Sequence, residues 1–187
     1  MSKKALVLLA DGFEDIEAVT PIDYLRRAGI EVTAASISEN LIVTSRWGGI
    51  KLITDTTLTQ LAEQGFDDWD AIIIPGGIPG ATNLAASNET NVLIKNMADA
   101  GKLICAICAS PVVVLAPLGL ISGKKFTCSP GQEEKANDGT WSADRVVVDG
   151  NVITSRGAGT AGEWAIAIIE KLLDEATAKK IAETVLL

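Results

Sequence analysis

The chain of 187 residues contains no histidine. That absence removes the Ser-His-Asp triad, the Cys-His pair and the His-bearing zinc sites. Any acid–base group must then be Asp, Glu, Cys, Lys or the single Tyr24. There is no basic cluster either: 16 Lys+Arg face 24 Asp+Glu, for a net charge of −8. Such a chain is a poor binder of nucleic acid or anionic membrane, where affinity rests on phosphate neutralisation. No apolar run reaches the ~20 residues that cross a bilayer. The basic start and apolar run of MSKKALVLLADGFED superficially suggest a signal peptide. However, Ala5–Ala10 is too short and ends in Asp11-Gly12 and acids, so it reads as a buried first strand of a cytoplasmic protein. Three cysteines, an odd number, read as thiols rather than a disulfide framework. There is no repeat, low-complexity stretch or Pro/Gly/Ser linker, so residues 1–187 form one domain.

What is present alternates short apolar runs with helical segments. Lys4–Leu9, Ala71–Ile74 and Leu103–Ile107 are continuous apolar runs, as strands buried on both faces require. Ile30–Ser36 is a further strand, and Ile42–Ser45 with Lys51–Thr54 form a hairpin around Arg46-Trp47-Gly48-Gly49. Lys125–Cys128, Arg145–Val148 and Asn151–Thr154 also read as strands. Helices are expected at Glu14–Arg27, Leu58–Gln64, Asn88–Ala100, from Pro111, at Thr160–Leu173 and at Glu175–Leu186. Acids open the first of them and Arg26-Arg27 close it, matching the helix dipole, while Pro21 should kink or restart it. The alternation predicts an α/β sandwich, a mostly parallel sheet with helices on both faces. In such sheets sites lie beyond the carboxyl ends of the strands. Three loops qualify: Asp11–Asp15, Gly76–Gly80 and the turn at Cys108.

In GKLICAICASPVVVLAP the strand ends at Ile107 and a helix begins within about two residues. Cys108 therefore sits on a sharp turn that exposes its side chain and aims the following N–H groups at one point. A helix N-terminus favours thiolate, although a buried structural cysteine is the plain alternative. Cys105 completes a C-x-x-C, but period-two alternation sends the two thiols to opposite faces, which disfavours a disulfide or metal site. Cys128 fits the core as well as the site. Glu17 lies between Ile16 and Ala18. Pointing inward, its carboxyl would hold a proton and donate to a thiolate; pointing outward, it is an ordinary solvated helix residue. Gly76-Gly77 after Ala71–Ile74 form either an anion nest or a plain tight turn.

The motifs ALVLLADGFEDIEAVTPID, IIIPGGIPGA, ICAICASPVVVLA and VITSRGAGTAGEWAIAIIE run in this order over nearly the whole chain. In them the sequence resembles the ThiJ/PfpI superfamily, in the branch of the Parkinson's-linked DJ protein. The resemblance implies a flavodoxin-like sandwich and a homodimer, with no metal or cofactor. It matches Cys108 to the reactive cysteine, and Glu17 to the carboxyl that hydrogen-bonds the thiol and lowers its pKa. It matches Gly76 and Gly77 to glycines on the anion side of the pocket, with the Ala109 N–H as a further donor. Arg46, Arg27 and Arg156 fall where this branch places arginines near the site, some across the dimer interface. One departure stands out: the branch usually carries a histidine after the elbow strand, and here Ser129 takes that place.

The resemblance implies two kinds of function. In one, the chain is a cofactor-free glyoxalase or deglycase, a hydrolase or lyase acting on methylglyoxal-type dicarbonyls or early glycation adducts in oxidative-stress defence. In the other, it is a non-enzymatic redox sensor or chaperone acting through oxidation of Cys108. A paralogue that lost activity with its histidine is a third. All but the last need the same thiolate.

Overall fold

The computed structural model describes residues 2–64, 69–136 and 138–187. The chain enters through β1 (Lys4–Leu9), α1 (Asp15–Arg27) and β2 (Glu31–Ser36), then a hairpin of β3 (Ile42–Thr44) and β4 (Lys51–Ile53). It continues through β5 (Thr56–Thr57), α2 (Leu58–Gln64), β6 (Ala71–Ile74), α3 (Gly80–Ala86), α4 (Asn88–Asp99) and β7 (Leu103–Ile107). Two tight helical turns, Pro111–Leu115 and Ala116–Leu118, lead to β8 (Lys125–Phe126) and β9 (Thr140–Trp141). β10 (Val146–Asp149), β11 (Val152–Ser155), α5 (Ala161–Leu172) and α6 (Glu175–Thr184) complete the chain.

The central sheet has the order β10-β11-β7-β6-β1-β2-β5. It is parallel except for β10, which pairs antiparallel with β11. The three apolar runs form its middle because helices cover both their faces. Leu6, Leu8, Ile72, Ile74 and Ala106 face one layer, with Leu93 and Ile94 of α4 and Phe126. Val7, Leu9, Ile73, Cys105 and Ile107 face the other, with Ala18 and Leu25 of α1 and Trp164 and Ile168 of α5. This is the expected α/β sandwich, a mostly parallel sheet with helices on both faces.

The departures have local causes. α1 runs unbroken through Pro21, because Ala18, Pro21, Ile22 and Leu25 are all buried and their packing outweighs the lost hydrogen bond. The segment from Pro111 is a π-helical turn and then a 3₁₀ turn rather than an α-helix, capped by Gly119 in the left-handed conformation. The strand expected over Lys125–Cys128 stops at Phe126. The Thr127 N–H donates to Thr154 Oγ1 (2.9 Å) and the Ser129 N–H to the Cys108 carbonyl (2.8 Å), so neither joins a ladder. Helix α3 was not expected from the sequence, since its first residue belongs to the glycine-rich loop. Among the described residues no helix is long and apolar enough to cross a membrane.

Candidate active site

The site is built at the carboxyl end of the central strands. β7 ends at Ile107, and Cys108 adopts a left-handed backbone, φ +63°. For a residue with a Cβ that conformation is strained by roughly 1–2 kcal/mol, so the surroundings must hold it. They do so through three hydrogen bonds. The Cys108 N–H donates to the Ser155 carbonyl at 2.9 Å, and its carbonyl accepts from the Ser129 N–H at 2.8 Å. The Ser110 hydroxyl donates to the Pro75 carbonyl at 2.6 Å, tying the turn to the end of β6. The turn presents the thiol to the N–H groups of Ala109 and Gly77, both of which favour its ionised form.

The left-handed turn also corrects the sequence reading of the C-x-x-C. Cys108 leaves the strand alternation, so Cys105 and Cys108 border the same core layer rather than opposite faces. Both are free thiols, as is Cys128. Cys105 and Cys128 are fully buried, and burial pushes both thiols up, Cys128 to about 11.

Glu17 comes from the first turn of α1, where the Glu14 carboxylate caps the helix by accepting the Glu17 N–H at 2.8 Å. Its side chain is 1% exposed and reaches the loop after β6. Two backbone hydrogen bonds lock the loops together. The Glu14 N–H donates to the Gly76 carbonyl, and the Gly80 N–H to the Gly12 carbonyl, both at 3.1 Å. No side chain fits between them. A Cβ on Gly77 (φ +91°) would lie 2.5 Å from the Gly12 carbonyl oxygen. One on Gly76 would lie 2.6 Å from both Cys108 Cβ and Glu17 Oε2. The glycines after β6 thus let thiol and carboxyl meet. Gly76 differs in one respect from its expected role. Its N–H is not free to bind a substrate anion but donates to Glu17 Oε2 at 2.9 Å. Gly77 and Ala109 remain as donors facing the sulfur.

Burial, and after it Glu14, raises the Glu17 pKa to about 7, against the pull of Cys108, Gly76 and Arg46. Burial, and after it the charge of Glu17, pushes the Cys108 thiol up to about 12. The two shifts describe one coupled pair that accommodates one negative charge comfortably and two poorly. With the charge on Glu17, the thiol is the donor and ionises late, contrary to the lowered pKa expected for it. With the proton on Glu17, the repulsion vanishes and the carboxyl can donate to a thiolate that Ala109 and Gly77 also stabilise. The carboxylate's own donor is the Gly76 N–H. The site is therefore a proton-sharing pair in which Glu17 is the group that ionises first.

The three expected arginines take different positions. Arg46 follows β3, stacks over Trp47 at 4.6 Å, and lowers the Glu17 pKa by its charge. Its N–H donates to the Phe13 carbonyl at 2.7 Å, which fixes the hairpin against the loop before α1. Arg156 follows β11 and donates from Nη1 to the Ala143 carbonyl at 3.2 Å. It lines a cleft of about 270 Å³ with Pro130, Arg145, Gly157 and Thr160. Arg27 stands apart. It closes α1, ten residues (~15 Å of helix) beyond Glu17, and pairs with Asp23 at 2.8 Å.

Two residues of this region escaped the sequence reading. A Cβ on Gly157 would lie 3.7 Å from Glu17 Oε1 and 4.0 Å from Cys108 Sγ, so its bare backbone forms a wall of the site. Its position just past β11, beside β7, was the available signal. Arg145, in the same cleft, is occupied by Glu163 at 2.6 Å and the Gly159 carbonyl at 2.7 Å. Among the described residues no cluster of His, Cys, Asp or Glu could hold a metal ion.

Known proteins resemble this chain over long stretches. The chain matches the DJ-1/PfpI family over residues 3–171. It is similar to Protein dj-1beta of Drosophila melanogaster, 40% identical over 100% of this chain and 98% of that one. The glutathione-independent glyoxalase DJR-1.2 of Caenorhabditis elegans is 37% identical over 91% of this chain and 89% of its own. Protein DJ-1 homolog B of Arabidopsis thaliana is 43% identical, but this chain spans only 37% of its length. The structure of oxidized Toxoplasma gondii DJ-1 superposes with a TM-score of 0.93 at 38% identity, covering 99% of this chain and 98% of the other. A fold matched from end to end, with a thiol elbow at its centre, and a family match across nine-tenths of the sequence lead to one conclusion: the chain belongs to the DJ-1/PfpI family.

Proposed function

We propose that this protein is a cysteine-dependent glyoxalase that works without metal or cofactor on methylglyoxal-type 1,2-dicarbonyls, and that the same thiol removes early glycation adducts in oxidative-stress defence. The observation that carries the reading is the juxtaposition of Cys108 and Glu17 around the Gly76 N–H, with the Gly77 and Ala109 N–H groups facing the sulfur. The glyoxalase named among its relatives supports the same chemistry.

The steps follow from the pair. The thiolate adds to the aldehyde carbon, forming the S–C bond, and the resulting alkoxide takes the Glu17 proton. Glu17, now a carboxylate, removes the hydrogen of that carbon, and the electron pair moves onto the neighbouring oxygen. The same carboxyl then delivers its proton to the neighbouring carbon while the hemithioacetal hydroxyl passes its own proton to the oxygen of that neighbouring carbon, leaving a thioester of a 2-hydroxy acid and an ionised Glu17. Water breaks the S–C bond, releasing lactate from methylglyoxal and restoring the thiol. A carboxyl that titrates near 7 suits a group that must give and take a proton within one turnover. The Gly77 and Ala109 N–H groups stabilise the developing oxyanions. The test is lactate formation by the purified protein: the wild type turns over and Cys108→Ser does not. A wild type without turnover sinks the reading.

A redox-sensor role, with chaperone action, is the second reading. The same donors that stabilise a thiolate would stabilise a sulfinate at Cys108, and a similar protein has a solved structure in an oxidized form. We also propose a homodimer. Ile16 and Val19 of α1 and Trp47 and Ile50 of the hairpin are 52%, 44%, 74% and 49% exposed. The bridge between Phe13 and Ser45 ties that hairpin to the start of α1, so these apolar side chains sit on neighbouring elements beside the site. Sedimentation velocity at micromolar concentration distinguishes dimer from monomer.

A further inference from the structure

Trp47, at the tip of the hairpin, is 74% exposed, against 39% for Trp141, 9% for Trp69 and 0% for Trp164. Its ring is nonetheless engaged, because the Arg46 guanidinium lies over the face, 4.6 Å from the centroid. Backbone hydrogen bonds fix this tip. The Gly48 N–H donates to the Ser45 carbonyl and the Ser45 N–H to the Ile50 carbonyl, both at 2.9 Å, and the Arg46 N–H donates to the Phe13 carbonyl at 2.7 Å. Phe13 in turn borders the site: a Cβ on Gly77 would lie 2.8 Å from the Phe13 carbonyl carbon and 2.6 Å from the Glu14 nitrogen. The Glu14 carboxylate accepts the Glu17 N–H at 2.8 Å. One loop thus separates the tip from the first turn of α1, which carries Glu17.

Among the described residues no carboxylate forms an ion pair with Arg46. A long, exposed side chain without such a partner samples many rotamers, so the Trp47 face is what restricts the cation. Three charged or titratable groups act on Glu17: Glu14 at the cap of its own helix, Cys108 at the end of β7 and Arg46 of the hairpin. The loops after β6 and β11 meet its carboxyl with backbone alone, at Gly76 and Gly157. Arg156, beside Gly157, is turned to the Ala143 carbonyl, and Asp11, before α1, accepts the Thr44 N–H. Arg46 is therefore the cation that answers Glu14.

We propose that Trp47 is a positioning residue of the Cys108–Glu17 site: by stacking on the Arg46 guanidinium it fixes one cation near the Glu17 carboxyl, where that cation favours the ionised pair. The proposal rests on the reading of Cys108 and Glu17 as one reactive pair, and not on turnover of any particular substrate. In the homodimer proposed above the stack is shielded from water, which strengthens a cation–π contact. Loss of the aromatic face releases the cation, and the pair then holds its first proton to higher pH.

The test is the pH profile of Cys108 alkylation by iodoacetamide, read by peptide mass spectrometry. The pair loses its first proton near pH 7 and shares the second, so a fixed share of thiolate appears with that step and the wild-type rate rises there. Arg46→Ala should move the rise upward by about 0.5 pH, a modest shift because an exposed cation is screened. Trp47→Leu keeps apolar bulk without the aromatic face and should give at least about half of that shift, whereas Trp47→Phe should stay within about 0.1 pH of wild type. All these side chains are at the exposed tip, so the core stays intact. In the double variant Trp47→Leu should add nothing to Arg46→Ala, because it acts through the arginine. A Trp47→Leu profile at the wild-type pH overturns the proposal. So does a shift that Trp47→Phe fails to rescue, or one that adds to that of Arg46→Ala. A wild type with no rise near pH 7 overturns the paired reading and this proposal with it, an outcome visible before any variant is compared.

Discussion

Cys105 and Cys108 belong to the middle and the end of one strand region, three residues apart, and border the same core layer. In the middle, Cys105 is enclosed by flanking strands β6 and β11 and meets only apolar neighbours, so burial alone sets its chemistry. At the end, the backbone turns left-handed and Cys108 meets a carboxyl and two N–H donors. Residue type is identical, so the difference is one of surroundings. A strand interior offers no free donors because the ladder uses them all; the strand end releases them.

The contrast can be tested from its largest consequence downward. Cys108→Ser should lower dicarbonyl turnover at least about 1,000-fold, as loss of a covalent nucleophile does, while Cys105→Ala keeps it within about twofold. Comparable losses in both would erase the distinction. Limited peroxide treatment should oxidise Cys108 to the sulfinic acid at least about tenfold faster than Cys105 or Cys128, by peptide mass spectrometry. A Cys105–Cys108 disulfide would instead show that the strand end is not held as described.

Gly76→Ala probes the contact that lets carboxyl and thiol meet. Its Cβ would fall 2.6 Å from Cys108 Cβ and from Glu17 Oε2. The variant should lose about 1–3 kcal/mol of stability together with turnover, read from urea midpoints and lactate assays. A neutral effect would mean that the loops yield.

Glu17→Gln gives the effect with the sharpest sign. The Glu17 pKa is raised from 4.5 to about 7 in the folded protein. The stability contributed by its protonated form is full below 4.5 and is lost as pH rises through 7. The amide has no such loss. Glu17→Gln should therefore gain on wild type between pH 4.5 and 7, by at most about 3 kcal/mol, in paired urea titrations. It should keep part of its alkylation reactivity yet lose turnover, because an amide donates a hydrogen bond but does not shuttle protons. A gap that stays constant with pH would place the ionisation elsewhere.

The apolar runs Lys4–Leu9, Ala71–Ile74 and Leu103–Ile107 were legible as strands to the residue. Burial on both faces selects such runs in a strand. Helix α1 was legible to within a residue from its acidic start and basic end. Less legible were the pieces whose hydrogen bonds leave the local chain. β8 is cut short because Thr127 and Ser129 donate to other segments, and α3 hides behind a glycine-rich loop. In the site, Cys108, Glu17, Gly76 and Gly77 could be named in advance, whereas Gly157 carried no signal beyond its position just past a strand that lies beside β7.

The sequence by itself determined the layered α/β order, the absence of imidazole chemistry and the strand end at which the thiol stands. Those follow from composition and from periodicities that each segment carries alone. Tertiary structure decided the chemistry. It placed Glu17, 91 positions before Cys108 in the chain, against the thiol through the Gly76 N–H. It turned that N–H from the substrate to the carboxyl, and it set how one proton is divided between two acids. Desolvation and hydrogen-bond direction produce that division, and both arise only when distant segments close around the same few ångströms.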